Sequence, residues 1–188
     1  MADGCHVAGR ATAADMDALL ALRAEAEAWL ASAGIDQWRA PGFRDRALAK
    51  WRADVEQGRT WLVRDGAGAV AATVTLAPAD PDFWCEDDRP GDAVYVAKLI
   101  TARAFAGAGL GGRVLDWAGL AARRAGLGWV RLDCWRSNTA LQEYYLGQGF
   151  RHVRTEAPAH RRSGWLAQRP AELVLHPERR LGTAPSGR

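Results

Sequence analysis

The sequence predicts one mixed α/β domain with a strand–helix–strand unit at its centre. Three observations lead there. The chain has 188 residues, long enough for one full hydrophobic core and short for two. Its apolar residues alternate between three-to-four-residue spacing and short branched runs, the marks of helices and strands. Between AVYVAKLIT (93–101) and WVRLDCW (129–135) lies AGAGLG (106–111), which opens a helical stretch running to residue 125. That is the layout of a crossover joining two strands.

In chain order, HVAGRAT (6–12) reads as a first strand. From Asp15 to Ala33 the residues Met16, Leu19, Leu22, Ala26, Trp29 and Leu30 recur on one helical face, and Gly34 ends the helix. Pro41 punctuates the next stretch, and 43–57 reads as a second helix with Trp51 on its buried side. TWLVRDG (60–66) and AVAATVTLA (69–77) form a hairpin across DGAG. A loop rich in proline and aspartate occupies 78–92. Beyond the glycine segment, Val114, Trp117, Ala118, Ala121 and Ala125 give the third helix an apolar face. Residues 138–148 form a short helix, FRHVRT (150–155) a strand, 156–170 a loop and AELVLH (171–176) a last strand. The domain is therefore placed at 1–177, with 178–188 as a disordered tail.

Composition excludes several classes. Net charge is +3 with acidic residues scattered throughout, not the basic stripe of a nucleic-acid binder. Only Lys50 and Lys98 are lysines, and arginine with abundant alanine and glycine points to a GC-rich bacterial genome. Cys5, Cys85 and Cys134 are odd in number and widely spaced, so they form neither a zinc pattern nor a disulfide framework. No stretch approaches the roughly 20 apolar residues of a membrane span, and MADGCHVAGR lacks a signal-peptide core. The expectation is a cytoplasmic monomer or homodimer without nucleic-acid or membrane partners. None of the four histidines has a metal-like partner, and no metal is expected.

The glycine segment has two readings. It is either an inexpensive strand–helix turn or a cradle for phosphate, because helix-start N–H groups lack partners and the helix dipole makes that end electropositive. Gly107, Gly109 and Gly111, with only alanine between at 106 and 108, permit close approach. A Walker-type loop needs Lys-Ser/Thr where Gly112-Arg113 stands. A dinucleotide fingerprint wants G-x-G-x-x-G near the first strand, whereas this run is G-x-G-x-G on the fourth.

A second segment, LDCWRSNTALQEYYLGQGF (132–150), sets Asn138, six residues, Tyr145, three residues, then Gly149-Phe150. With the upstream strand, glycine run and helix, this resembles the GNAT N-acetyltransferase superfamily over residues 93–151. The resemblance implies a mixed, mostly antiparallel central sheet of about six or seven strands with helices on both faces. It implies acetyl-CoA (coenzyme A) as cofactor, its pyrophosphate lying on Ala106, Gly107, Ala108, Gly109, Leu110 and Gly111, with Gly112 and Arg113 beside them. Leu99, Ile100 and Thr101 match the strand end that pairs with the pantetheine arm, often beyond a bulge, and the Leu99 N–H matches the group that polarises the thioester carbonyl. Asn138 matches a polar residue near the pantetheine or the following helix. Tyr145 matches the acid that protonates the departing thiolate. One departure is Ala106, where the family usually carries Gln or Arg; Arg113, or else Arg103, is the expected substitute.

An amine acceptor must lose a proton before attacking, and a carboxylate can take it. Asp133 matches a glutamate base in some ribosomal-protein acetyltransferases of the family; Glu86, Asp88 and Asp92 are its rivals. Cys134 should face away from Asp133, and no matched histidine supports a nucleophilic cysteine, so direct amine attack is expected. The loop DPDFWCEDD (80–88) carries five carboxylates beside Phe83 and Trp84 and would suit a cationic acceptor. Trp29, Trp38, Trp84, Glu86 and Asp88 are thus the candidate acceptor residues. The basic stretch 160–169 would suit an acidic acceptor instead. The expected acceptor is a small-molecule amine; a protein N-terminus or lysine, and a non-catalytic acetyl-CoA sensor, are the alternatives.

Overall fold

Alternation of apolar runs with turn residues resolves into eight strands and four α-helices among residues 6–38 and 43–184, which the computed structural model describes. The strands are β1 (Val7–Arg10), β2 (Thr60–Arg64), β3 (Val70–Ala77), β4 (Ala93–Thr101), β5 (Trp129–Trp135), β6 (Arg151–Thr155), β7 (Ser163–Pro170) and β8 (Gly182–Thr183). The helices are α1 (Met16–Ser32), α2 (Phe43–Glu56), α3 (Leu110–Arg124) and α4 (Thr139–Gly147). They make a mixed α/β fold on one mostly antiparallel sheet of order β6-β7-β5-β4-β3-β2-β1-β8. The Pro41 break and residues 185–188 of the expected tail lie outside the described residues. No helix among the described residues is long and apolar enough to cross a membrane.

The chain divides into two compact units. In the first, drawn from 1–75, 98–111 and 179–188, the Asp15 carboxylate accepts from the Thr12 N–H (2.8 Å) and hydroxyl (2.9 Å), a capping box that holds the 3-10 turn Ala13–Asp15 leading into α1. The helix spacing read from sequence then carries Leu19 and Leu22 into a core with Trp51 and Val55 of α2, Leu62 of β2 and Ile100 of β4. Each such side chain contributes about 1.5–3 kcal/mol by leaving water. Asp54, also on α2, is buried and holds two cations, Arg59 and Lys98. Part of the expected tail is ordered: Gly182 and Thr183 pair parallel with Val7 and Ala8, and Leu181 is buried.

The second unit is drawn from 76–97 and 112–178. Here the expected order of loop (156–170) and strand (171–176) is reversed. Ser163–Pro170 is the strand, and 171–176 forms no strand and leaves Val174 and Leu175 exposed. The reason is position: β7 lies inside the sheet, paired with β5 and β6, and residues 164–169 are buried on both faces, so no polar–apolar alternation survives to mark it. Even Arg169 is fully buried there. It donates to Asp116 (3.1 Å) and to the Gln148 carbonyl (3.0 Å).

α3 is packed on nearly every side from Gly112 to Gly119, and Ala122 rather than Ala121 or Ala125 completes its buried apolar face. Along one stripe, Asp116 accepts the N–H groups of Leu175 (3.0 Å) and His176 (2.8 Å). On the same stripe a Cβ at Gly119 would lie 2.6 Å from the Ala171 carbonyl oxygen.

Candidate active site

In the first unit, the far end of β4 carries the features expected of a cofactor-binding strand. Its ladder with β5 runs only from Ala93↔Trp129 to Tyr95↔Arg131, although β4 continues to Thr101. Inside the strand, Lys98 has φ +51°, a left-handed residue amid extended ones, and Leu99, Ile100 and Thr101 follow it. Nothing in the sequence reading anticipated Lys98 beyond one signal: it is the single charge within VYVAKLIT.

The segment that follows is a tight, solvent-exposed turn. Arg103–Phe105 form a 3-10 turn whose first N–H, that of Arg103, is accepted by Glu25 of α1 at 2.9 Å. The N–H groups of Ala106 and Ala108 close back onto the carbonyls of Arg103 (3.1 Å) and Phe105 (3.3 Å). Gly107 (φ +77°) and Gly109 (φ +71°) adopt the left-handed region, where a Cβ costs about 1–2 kcal/mol. Open space surrounds the Cβ direction of both. Among the described residues no protein acceptor meets the N–H groups of Gly107, Gly109, Leu110 and Gly111. An exposed, glycine-lined turn with unused donors at a helix start fits a diphosphate.

The expected stand-ins for the missing Gln or Arg at Ala106 lie elsewhere. The Arg103 guanidinium sits over the Trp29 ring at 4.6 Å, and the Arg113 side chain is buried at 9% exposure. Gly112 serves packing: a Cβ there would collide with His176 and Gln148. Trp29 is 43% exposed. Trp38 packs against the core beneath Arg23, 5.1 Å away.

In the second unit, β5 and α4 gather the candidate chemistry. The Asn138 side chain caps α4 by accepting the Leu141 N–H at 3.1 Å, and its own exposure is 6%. Its nearest demonstrable role is therefore to start the helix that bears Tyr145. The Tyr145 ring lies edge-on to Phe150 (5.6 Å) and Tyr144 (5.5 Å), which explains the spacing to Gly149-Phe150. Its hydroxyl has no hydrogen-bond partner among the described residues. Burial first, then Cys134, Tyr144 and Asp133, raise its pKa far above an ordinary phenol, so it stays protonated. Asp133 sits half-buried on β5 opposite Leu166 and acts electrostatically on Tyr145, Cys134 and Arg161. The Cys134 thiol is pushed up to about 12, chiefly by burial; it is an inert thiol at neutral pH.

The acidic loop departs most from expectation. Phe83 and Trp84 are each 4% exposed and belong to a core with Ala93, Tyr95 and Leu166, so Trp84 presents no face to an acceptor. Its ring lies near two guanidinium groups, those of Arg131 (4.8 Å) and Arg154 (5.5 Å). Asp88 takes two 2.7 Å bonds from Arg154 and also accepts the Cys85 N–H at 3.0 Å. The Arg154 bond above all holds its carboxyl well below the usual carboxylate range. Asp80 and Asp82 are bound by Arg161 at 2.9 and 2.5 Å. Of the candidate acceptor carboxylates on this loop, Glu86 is exposed, whereas Asp88 is a structural anchor. Arg131, Arg154 and Arg161 escaped the sequence reading because their partners lie 36 to 81 residues away.

Comparison with known proteins is consistent with this geometry. A family profile described as "Acetyltransferase (GNAT) family" matches residues 23–150. An uncharacterized N-acetyltransferase of Bacillus subtilis, YesJ, is 29% identical over 161 residues, covering 84% of this chain and 87% of that protein. A GNAT-family acetyltransferase structure from Listeria monocytogenes shares 24% identity and a TM-score of 0.72 across 88% of this chain and 94% of the other. The PaiA N-acetyltransferase of Thermoplasma acidophilum, solved in complex with coenzyme A, aligns at 13% identity and TM-score 0.65 over 88% and 98% of the two chains.

Proposed function

Since this chain belongs to the GNAT acetyltransferase family and is an acyltransferase that uses acetyl-CoA, we propose that it acetylates the primary amine of a small molecule by direct attack. Acetyl-CoA supplies the activated thioester. The N–H groups of Gly107, Gly109, Leu110 and Gly111 hold its diphosphate, and the backbone of Leu99–Thr101 binds the pantetheine arm. Asp133 takes the proton from the acceptor ammonium. Tyr145 donates its hydroxyl proton to the departing sulfur.

The observation that carries this reading is Tyr145: a buried phenol, held by aromatic edges, kept protonated and, among the described residues, without an acceptor for its hydroxyl. Direct attack is favoured because the buried Cys134 on β5 is a poor nucleophile at its raised pKa. The internal ion pairs of Asp80, Asp82 and Asp88 withdraw the support that the acidic loop lent to a polycationic acceptor.

Thiol release from acetyl-CoA over a panel of amino acids, small amines, aminoglycosides and peptides tests the acceptor class. On the best acceptor, Tyr145→Phe should lower kcat by about 10²-fold or more with acetyl-CoA affinity retained. Asp133→Asn should displace the rising limb of the pH–rate profile. Unchanged kcat removes Tyr145 as the acid, and an unchanged profile removes Asp133 as the base. Release with peptides alone would make the protein a protein acetyltransferase. Binding of acetyl-CoA without release to any acceptor would make it a sensor.

A further inference from the structure

Lys98 holds a backbone conformation that its residue type disfavours. At φ +51° a side-chain-bearing residue costs about 1–2 kcal/mol, and such strain persists only where the surroundings over-determine it. They do so here. The Lys98 Nζ lies 2.6 Å from Asp54 Oδ2. That carboxylate is 1% exposed, and its other oxygen takes two bonds from Arg59, at 2.9 and 2.7 Å. Asp54 cannot drift, because its helix neighbours Trp51 and Val55 pack into the core with Ile100, two residues past Lys98. α2 therefore grips β4 twice, once by charge and once by apolar contact.

Burial lowers the Lys98 pKa, with Asp54 opposing and Lys50 and Arg23 adding to the fall. For Asp54, burial is outweighed by the bonds from Lys98 and Arg59, which hold it below the usual range. A buried carboxylate with two cations is an arrangement in which losing one partner is strongly felt.

We propose that the Lys98–Asp54 pair is a positioning device for acetyl transfer: it fixes the left-handed turn at Lys98 and thereby aims the backbone of Leu99–Thr101 at the acyl end of the cofactor. This rests on the reading of Leu99–Thr101 given above. Lys98 and Asp54 are positioning residues, acting through the main chain rather than by touching the thioester.

Glycine separates this role from a need for the charge itself, since it takes the left-handed conformation without a tether. The full chain and its Lys98→Ala and Lys98→Gly variants are titrated calorimetrically with acetyl-CoA and with CoA, with thermal unfolding recorded for each. Lys98→Ala should lose tenfold or more in acetyl-CoA affinity and lose the preference for acetyl-CoA over CoA; Lys98→Gly should lose less than threefold. Equal loss in both variants, or a lowered unfolding midpoint with unchanged acetyl-CoA affinity in Lys98→Ala, overturns the proposal. If Lys98→Ala does not fold, Lys98→Asn and Lys98→Gln repeat the comparison, since Asn tolerates the left-handed region and Gln does not; equal affinities overturn it. Failure of the unaltered chain to bind either ligand overturns the cradle reading, and this inference with it.

Discussion

Two sets of glycines stand on either side of one helix start, and they are glycine for opposite reasons. Gly107 and Gly109, in the turn before α3, have open space where a Cβ would go and a backbone that only glycine enters freely. Gly112 and Gly119, within α3, need no special backbone but have no room: the first faces His176 and Gln148, the second the Ala171 carbonyl. The turn opens onto free space. The helix is shaped to receive the protein's own chain. A glycine-rich run read as one motif is thus two devices, and the boundary falls between Gly111 and Gly112.

Substitutions can break or sharpen that distinction. The largest effect is expected at Gly119→Ala. The new Cβ meets a backbone oxygen at 2.6 Å, which cannot swing aside, so stability should fall by about 1–3 kcal/mol in denaturant unfolding. CoA affinity in the folded fraction should be unchanged. Gly109→Ala should do the reverse. The strain of about 1–2 kcal/mol can be relieved by rearranging an exposed turn, so the unfolding midpoint barely moves while CoA affinity drops by about tenfold. If both variants lose stability and affinity together, the two devices are one. Gly112→Ala should be the mildest. It displaces the ends of two side chains, breaking the 3.3 Å His176–Gln148 contact, for a loss of about 1 kcal/mol or less. A loss of CoA affinity at Gly112→Ala would move the boundary into the helix.

Much of the architecture was legible because it is local. The bounds of β4 and β5 follow from branched runs, and α1 and α4 follow from helical spacing with Gly34 and Gly149 as stops. The misreadings have a common cause. β7 looks like a loop because a strand buried on both faces hides arginine and glutamine as readily as leucine: Gln168 and Arg169 are both buried. The acidic loop looks like a docking surface because five carboxylates in nine residues carry no mark of who neutralises them.

By itself the sequence determined what depends on spacing along the chain. That includes the glycine turn opening a helix, the cap at Asn138, and the interval that sets Tyr145 on the ring of Phe150. Tertiary structure alone decided which carboxylates are bound into ion pairs with distant cations. Asp88 is tied to Arg154 across 66 residues and Asp54 to Lys98 across 44. Spacing controls which side chains share a helix or strand face, but charge is paired in space. Folding brings those partners together from segments whose local pattern carries no trace of each other.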